Sequence, residues 1–533
     1  MMRAFNNALQ TVFFGSWVFF SLACATAQTT KTQTVGATAG TRLVSNTANM
    51  QARSSRHALI VGIGEYVNPA IPQLKGIKYD IESALKMVNA MHIPIENTRI
   101  LRDHEATAAR IESEIADLNT RTQPGDRVFF YFSGHGSRWF DASAKNNGCV
   151  EALLAADGRL ISNERVASIM KPISDKTDKL FVFYDACHSG GIVDKPMSLS
   201  RSIKIGGLVA KFSPSGVADA CAKPANIKTR SLVSANESAG GLPQNIVQIS
   251  SSRPDEVSFD DENGGGLATQ AWRDCMLGEA QDQDGSGGIS VDEIAVCAQK
   301  RIDARFAGNA QFAAQHFTIG GNRAFVTNWF SSAFSAPSAL SAPSAPSAPS
   351  VVTKPTDPGA ALTEIYAQRD SRRSVAVKSM GSPLKIGKDS LDLSISSSHA
   401  GYLYLILLGS DNSSFYLLFP NEKDGVNAIA AGQTLRLPRP DWQIMAHGPA
   451  GVNRMLVVVS ESPRDLAVLG GEKIGPFLQT LTNQDGRANL QWLIGSSMHQ
   501  AKGECGSLGR NAMSAKKCSD AFGAAMVEIV EKN

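Results

Sequence analysis

A continuous apolar run that ends abruptly in a polar, glycine-containing turn constrains this sequence most. Residues 180–184 (Leu-Phe-Val-Phe-Tyr) have the length of one strand and the composition of a strand buried on both faces. The turn that follows, residues 185–190, reads Asp-Ala-Cys-His-Ser-Gly. In α/β proteins the carboxyl ends of such strands line the crevice in which chemistry takes place. Cys187 is therefore the candidate nucleophile.

A second apolar run ends in the same way and supplies a histidine. Residues 128–132 lead into Ser-Gly-His-Gly (residues 133–136), so His135 is expected at the tip of a neighbouring strand. An imidazole can take the proton of a thiol and later protonate a leaving amine. The backbone N–H groups of Gly136 and Cys187 are the candidate oxyanion donors. A lone cysteine or histidine is more often an ordinary buried residue, but two such turns together favour a catalytic dyad.

These two motifs resemble those of metacaspases, which are cysteine peptidases of the caspase clan. Ser-Gly-His-Gly and Asp-Ala-Cys-His-Ser-Gly are separated by 187 − 135 = 52 residues from histidine to cysteine, and the resemblance extends over about residues 55–330. It implies a cysteine-type endopeptidase that cleaves polypeptides after Arg or Lys and requires no cofactor for its chemistry.

Two aspartates are the candidate substrate-binding residues. Asp185 precedes Cys187 by two residues, so strand alternation puts both side chains on one side, where a carboxylate favours a cationic substrate residue. The resemblance to metacaspases implies that Asp80, near the start of the first helix, completes this pocket. From the residues alone, Asp80 is more simply interpreted as a helix N-cap.

Alternation of strands and helices predicts the fold class. It is α/β, with a parallel-dominated sheet flanked by helices and a C-terminal β-sandwich-like domain. The resemblance to metacaspases implies that the sheet is caspase-like. The predicted strands of the sheet are 56–64, 98–102, 128–132, 180–184 and 245–250, and the predicted helices carry Ile81 to Met91, residues 106–118 and residues 164–170.

The N-terminal residues predict export. Residues 1–27 have a basic start, an apolar stretch and Ala-Thr-Ala before Gln28, which is typical of a secretory signal peptide, and residues 28–54 read as a flexible segment. The apolar stretch is short for a membrane span, so no transmembrane helix is expected in the mature form. Lipidation at Cys24 is the minority alternative. The expected location is periplasmic or extracellular.

Cysteine usage agrees with an oxidising compartment. Without Cys24 and Cys187, six cysteines remain, and an even number suggests disulfides. Cys275 with Cys297 and Cys505 with Cys518 are the natural pairs, although connectivity does not follow from sequence.

A twelve-residue segment, 282–293, fits the calcium-binding loop of an EF-hand. Its glycine at the turn, residue 287, and its apolar residue 289 are in the expected places, and helices are predicted on both sides. A structural helix-loop-helix without metal is the alternative. The candidate Ca²⁺ ligands are Asp282, Asp284, Ser286, Gly288, Ser290 and Glu293.

A polar interval after the cysteine turn, about residues 192–244, contains several basic residues, among them Lys204, Lys211 and Arg230. An enzyme that prefers basic residues could cleave itself there. An ordinary surface loop is an equally good interpretation of the same residues.

The C-terminal third forms a separate region. Residues 331–360 are a Ser/Ala/Pro linker, and residues 361–533 predict a β-rich domain with a closing helix over 521–530. Gly-Tyr-Leu-Tyr-Leu (401–405) and Leu-Phe-Pro-Asn (418–421) resemble a bacterial accessory domain of unknown function. We expect it to bind an unknown envelope or protein partner.

Composition fits two domains and excludes one class of partner. With 533 residues, of which 43% are hydrophobic, the chain can bury two cores, and a net charge of +3 is too small to indicate nucleic-acid binding.

The leading hypothesis is an exported, calcium-stabilised cysteine endopeptidase with a Cys187–His135 dyad. The alternatives are a catalytically silent calcium-binding scaffold or interaction protein, and an enzyme of the same fold with separase-like or acyl-transfer chemistry.

Overall fold

A computed structural model describes two domains of this chain. They are the N-terminal domain, residues 56–326, and the C-terminal domain, residues 357–533. The predicted signal peptide, flexible segment, most of the linker and the Cys505–Cys518 pair lie outside the described residues. The described residues are 56–143, 149–187, 204–205, 208–213, 245–253, 256–307, 314–326, 357–464, 466–495 and 519–533.

The strands and helices of the N-terminal domain alternate much as predicted. Its helices are α1 Ile77–Ala90, α2 Ala108–Arg121, α3 Asn163–Ser174, α4 Leu267–Asp274 and α5 Val291–Phe306. Its strands are β1 Arg56–Gly62, β2 Thr98–Arg102, β3 Arg127–Ser133, β4 Gly136–Phe140, β5 Cys149–Leu154, β6 Leu160–Ser162, β7 Lys179–Asp185, β8 Lys204–Ile205, β9 Leu208–Ala210, β10 Ile246–Ser250, β11 Phe259–Asp261, β12 Gly265–Gly266 and β13 Thr318–Gly321.

A six-stranded sheet organises this domain, in the order β13-β10-β7-β3-β1-β2. All neighbours are parallel except the edge strand β13, which runs antiparallel to β10. Side chains of one strand alternate between two cores: Ala58 and Ile60 face α1, α4 and α5, whereas Leu59 and Val61 face α2 and α3. The parallel-dominated α/β fold predicted from the sequence is confirmed.

Two small antiparallel sheets lie outside the central one. The first joins β4, β5 and β6, and the second has the order β12-β11-β9-β8. The second sheet contributes to the candidate site through β9 and the residues that follow it. These residues belong to the basic interval that comes after the cysteine turn in the sequence.

A disulfide joins the two helices on either side of the EF-hand-like loop. Cys275, directly after α4, is bonded to Cys297 of α5, which confirms that predicted pair. Cys187 is a free cysteine, and its side chain is buried.

The C-terminal domain packs two sheets face to face. Strands β14, β16 and β20 form the small sheet, and the remaining strands form the large one, whose other face is covered by helices α6 Gly359–Ala367 and α7 Gln484–Gly495. The strands are β14 Val375–Met380, β15 Leu384–Lys385, β16 Asp392–Ser397, β17 Gly401–Leu408, β18 Ser414–Phe419, β19 Ala428–Ile429, β20 Thr434–Leu437, β21 Gly451–Ser460, β22 Glu472–Ile474, β23 Phe477–Leu481 and β24 Phe522–Lys532.

The predicted closing helix over 521–530 is wrong, since these residues form strand β24. The strand pairs antiparallel with all 10 residues of β21. Its side chains follow the period of a strand: Phe522 and Ala524 pack towards α6 and α7, whereas Val527 and Ile529 pack towards the small sheet. Burial on both faces of a central strand therefore outweighs the helix propensity of the alanine-rich sequence.

Buried ion pairs connect the two domains. Asp520 of the C-terminal domain lies 2.6 Å from Arg56 and 3.5 Å from Arg127, at the starts of β1 and β3. Arg372 of the C-terminal domain donates to the carbonyl oxygen of Thr177 at 2.5 Å. The C-terminal domain is thus fixed to the edge of the sheet opposite the turns that carry His135 and Cys187.

Among the described residues, no helix combines the length and apolar character that crossing a membrane requires.

Candidate active site

Two adjacent strands bring the predicted dyad to one edge of the sheet. Strand β3 ends at Ser133 and β7 at Asp185, and these two residues are partners in the parallel register. His135 and Cys187 each follow two residues later, and both side chains are fully buried. A Cβ atom on Gly136 would lie 1.8 Å from the carbonyl oxygen of Cys187. Only glycine at position 136 therefore permits the two turns to approach this closely.

A segment of the chain itself occupies the space between the two turns. Strand β9 pairs antiparallel with β11, and the next residue, Lys211, donates its backbone N–H to the carbonyl oxygen of Ser258 at 2.9 Å. The carbonyl oxygen of Lys211 accepts hydrogen bonds from the N–H groups of Gly136 (3.0 Å) and Cys187 (3.1 Å). These are the two donors predicted for the oxyanion. The segment lies as an added strand, in the manner of a bound peptide.

The side chain of Lys211 enters the predicted acidic pocket. Its Nζ lies 2.8 Å from Oδ2 of Asp80 and 2.9 Å from Oδ2 of Asp185, and it donates to Oγ of Ser133 at 2.8 Å. All four side chains are fully buried. The structure therefore brings together the two predicted substrate-binding aspartates around one ammonium group. Asp80 lies within the first turn of α1 and does not cap it; the N-cap residue is Gly76.

Burial and charge act against each other in this pocket. Burial raises the pKa of Asp80 to about 6, although Lys211 acts in the opposite direction. Burial opposes the charged form of Lys211, but the carboxylates of Asp185 and Asp80 outweigh it and raise the pKa of Lys211. The lysine is therefore firmly cationic, as a buried counter-ion for carboxylates must be.

Hydroxyl groups and a backbone N–H hold the two carboxylates in place. Asp185 accepts from the hydroxyls of Ser258 (2.9 Å) and Thr269 (2.6 Å), and Asp80 accepts from the N–H of Gly266 (2.7 Å). Each aspartate thus keeps Oδ2 directed at the cation while other hydrogen bonds fix its plane.

The dyad residues do not hydrogen-bond to each other in this state. Sγ of Cys187 contacts the Ser258 backbone, accepting from its N–H at 2.6 Å and donating to its carbonyl oxygen at 3.1 Å. Burial raises the pKa of Cys187 to about 12 and lowers the pKa of His135 to about 4, and the Lys211 backbone lies against both side chains. At neutral pH both groups are uncharged, so the closed site holds a thiol and not a thiolate.

The orientation of the imidazole follows from its neighbours. Nε2 of His135 lies 2.7 Å from the carbonyl oxygen of Pro72, which can only accept, so Nε2 carries the proton of the neutral ring. Nδ1 is buried and has no hydrogen-bond partner among the described residues. The hydroxyl of Tyr66 accepts the backbone N–H of His135 at 2.7 Å. Nδ1 is therefore the nitrogen that is free to act as a base.

The caspase domain family model matches residues 55–317 of this chain. Residues 55–317 therefore form a caspase-like domain. A second model, a domain of unknown function (DUF4384), matches residues 384–463. The resemblance to metacaspases stated from the two motifs is confirmed at the level of the family.

Curated relatives of the caspase domain are metacaspases of modest identity. Metacaspase-2 of Trypanosoma brucei brucei is 27% identical over 153 residues, which cover 26% of this chain and 43% of the relative. Metacaspase-2 of Arabidopsis thaliana is 31% identical over 163 residues, covering 28% and 38%. Inactive metacaspase-4 of Trypanosoma brucei brucei is 29% identical over 161 residues, covering 27% and 44%. The chain thus spans less than half the length of these relatives.

Among solved structures, caspase-1 from Spodoptera frugiperda aligns with a TM-score of 0.33 at 13% identity, over 51% of this chain and 88% of the other.

Several residues around the site were not found by sequence reasoning. Ser133 belongs to the Ser-Gly-His-Gly motif and Lys211 to the basic interval. Both segments are recognisable in the sequence, but the part that these two residues play in the pocket is not. Other residues that orient the site carry no signal in the sequence, because only folding brings them close to the dyad. They are Tyr66, Pro72, Ser258 and Thr269.

The EF-hand-like loop of the caspase domain lies against the C-terminal domain. Ligand atoms of Asp282, Asp284 and Glu293 lie within 4.8 Å of one another. A Cβ atom on Gly287 would lie 2.4 Å from the backbone N of Ala488 in α7, so the loop packs directly on that helix.

A fourth carboxylate, from the C-terminal domain, reaches the same loop. Glu364 of α6 is buried, hydrogen-bonds to Ser286 and interacts electrostatically with Asp282, Asp284 and Glu293; burial raises its pKa well above the ordinary value. Ser290 instead caps α5, with its hydroxyl bound to Glu293. Sequence reasoning missed Glu364, which is far from the motif in the chain.

Proposed function

We propose that this protein is a cysteine endopeptidase that cleaves polypeptides after Arg or Lys, with Cys187 as nucleophile and His135 as base. One observation carries the proposal: Lys211 lies in the site as the residue before a cleaved bond would lie. Its ammonium is bound by Asp80 and Asp185, and its carbonyl oxygen is bound by the two N–H groups next to the dyad.

The chemistry follows from these positions. Once a substrate carbonyl replaces that of Lys211, Nδ1 of His135 takes the Sγ proton of Cys187 as the sulfur attacks the carbonyl carbon. The N–H groups of Gly136 and Cys187 stabilise the oxyanion. The imidazolium then protonates the leaving amine, the peptide bond breaks, and water hydrolyses the thioester.

The buried, uncharged dyad supports a second part of the proposal, which concerns how the site is blocked and opened. The intact chain is held in a self-occupied state, because Lys211 fills the pocket and burial keeps the Cys187 thiol protonated. Cleavage of the Lys211–Phe212 bond, or displacement of this segment, opens the site to other polypeptides. This assigns the predicted self-cleavage to one bond.

A panel of fluorogenic peptides tests the activity. The expected result is cleavage after Arg and Lys but not after Asp, abolished in Cys187→Ala and His135→Ala. The alternative function, a catalytically silent calcium-binding scaffold, predicts calcium binding with no turnover of any peptide, even after the Lys211 segment is removed. The relative named inactive metacaspase-4 keeps this alternative relevant.

Calcium binding by the loop 282–293 belongs to the same proposal. Asp282, Asp284 and Glu293 supply hard oxygen ligands that suit Ca²⁺, and Glu364 adds a carboxylate from the C-terminal domain. A bound ion would neutralise carboxylates that burial now keeps close together, and would tie the two domains at the loop. We assign it a stabilising role and no part in the chemistry.

Export to the periplasm or the extracellular space is also proposed. The signal-peptide-like residues 1–27 and the Cys275–Cys297 disulfide support an oxidising compartment. The C-terminal domain keeps its proposed role in binding an envelope or protein partner. Whole cells treated with a membrane-impermeant, cysteine-reactive probe test the location. Labelling of Cys275 and Cys297 that appears only after reduction with an impermeant reductant is expected for an exported protein, and no labelling before or after reduction would contradict it.

A further inference from the structure

A third aspartate adjoins the pocket that holds Lys211. Asp260 lies in β11, opposite Val209 of β9 and Gly266 of β12, and its side chain is fully buried. One of its oxygens, Oδ2, accepts the backbone N–H of Gly76 at 2.9 Å. Gly76 immediately precedes α1, the helix that carries Asp80, so the two carboxylates stand at the same helix end.

Two glycines make room for this arrangement. A Cβ atom on Gly266 would lie 2.4 Å from Nζ of Lys211 and 1.9 Å from Oδ2 of Asp185, and one on Gly76 would lie 2.3 Å from Oδ1 of Asp260. Their backbones thus form a wall of the cation pocket, and Asp260 is positioned by both. Asp260 interacts electrostatically with Lys211 and with Asp185.

The lysine does not use this third carboxylate. An ammonium group has three donors, and those of Lys211 are matched by three acceptors: Asp80, Asp185 and Ser133. Oδ1 of Asp260 is buried and accepts no hydrogen bond from the described residues. A buried acceptor without a donor is unfavourable, so the pocket retains one carboxylate oxygen, Oδ1 of Asp260, that lysine leaves unmatched.

We propose that Asp260 is a specificity-determining residue that makes the pocket prefer arginine to lysine at the residue before the cleaved bond. This rests on the proposed function. A guanidinium is planar, extends further than an ammonium and has five N–H donors in a fixed fork. With Asp80, Asp185 and Ser133 engaged, its outer N–H groups have the free Oδ1 of Asp260 as partner. Lys211 is then the weaker of the two cations and is displaced by an arginine substrate.

Two matched peptides that differ only in Arg or Lys before the cleaved bond test the proposal in the full chain. In Asp260→Asn the amide oxygen can still accept the Gly76 N–H, but the charge is lost. The ratio of kcat/KM for Arg to kcat/KM for Lys should fall by about tenfold, as for loss of a charge-assisted hydrogen bond. Asp261→Asn, at the next position of β11, is the control and should leave the ratio unchanged. Equal losses for both peptides, or an unchanged ratio, would overturn the proposal.

A binding measurement covers the case in which Asp260→Asn does not fold. In full-length Cys187→Ala that also carries Lys211→Ala, so that no side chain of the protein fills the pocket, agmatine should raise Tm more than cadaverine does, because agmatine carries a guanidinium and cadaverine an ammonium. Equal shifts, or none from either amine, would contradict the assignment. If the wild-type chain cleaves neither peptide but the amines bind as stated, the proposed peptidase activity fails and the role of Asp260 in cation selection survives.

Discussion

The ammonium of Lys211 lies 2.9 Å from a carboxylate oxygen of Asp185, and both side chains are fully buried. These two residues come from opposite sides of the cysteine turn, one before Cys187 and one after it. The chain therefore supplies both the acidic pocket and the cation that occupies it.

Self-cleavage is expected at one peptide bond. On incubation, the wild-type chain should yield a fragment that ends at Lys211, because that residue already lies in the substrate position. Mass spectrometry of the products identifies the terminus. Lys211→Arg should preserve this cleavage, whereas Lys211→Ala and Cys187→Ala should abolish it. A wild-type fragment that ends elsewhere would contradict the assignment of Lys211.

The reactivity of Cys187 should depend on the Lys211 segment. Since burial raises the pKa of Cys187 to about 12 in the closed site, iodoacetamide should modify it far more slowly than an exposed cysteine at neutral pH. Cleavage after Lys211, or Lys211→Ala, should speed modification by on the order of tenfold or more. Peptide mapping reads out Cys187 itself, and fast modification of the intact chain would reject the closed state.

Acid should destabilise the protein partly through His135. Its pKa is lowered by burial to about 4, below the ordinary value of 6.5, so the unfolded chain binds the extra proton first. The stabilisation is complete above pH 6.5 and is lost as pH falls towards 4, by up to about 3 kcal/mol. Urea unfolding at both ends of this range checks it, and His135→Gln should show a smaller acid loss. An equal loss in the variant would refute the contribution.

Calcium should stabilise the chain through carboxylates of both domains. Added Ca²⁺ should raise Tm, and both Glu293→Gln and Glu364→Gln should reduce that rise, because each removes a carboxyl group that would face the ion. Asp292→Asn is a matched control, since Asp292 neighbours Glu293 but pairs with Arg323 at the surface. A full calcium response in Glu293→Gln would exclude binding at this loop.

The domain interface should be sensitive to a single carboxylate. Asp520→Ala leaves Arg56 and Arg127 buried without this partner, and breaking a buried pair in this way costs about 3–5 kcal/mol. Chemical denaturation of the full chain measures the loss. Asp485→Ala, in the first turn of α7, is the comparison and should have little effect. Similar stabilities for the two variants would mean that the ion pairs contribute nothing net.

Much of the caspase domain could be predicted because its signals are local. Apolar runs of strand length gave β1, β2, β3 and β7 nearly to the residue, and the turns after β3 and β7 gave His135 and Cys187. Parallel neighbours put both turns at one edge, so the sequence order alone was sufficient to place them together.

The rest depended on contacts between distant parts of the chain. Nothing near Lys211 in the sequence reveals that its ammonium meets Asp80, which is 131 residues away. Glu364 reaches the calcium loop only because two domains pack together. Strand β24 was mistaken for a helix because its alanines suit a helix, and its pairing with β21 is not visible locally.

The pair formed by Arg56 and Asp520 joins residues 464 positions apart. Nearly the whole polypeptide must be synthesised before the first strand of the central sheet can acquire this partner. A ribosome-bound or C-terminally truncated chain would contain Cys187 and His135 but would lack the ion pair between Arg56 and Asp520. This ion pair therefore forms only after the C-terminal domain has been completed.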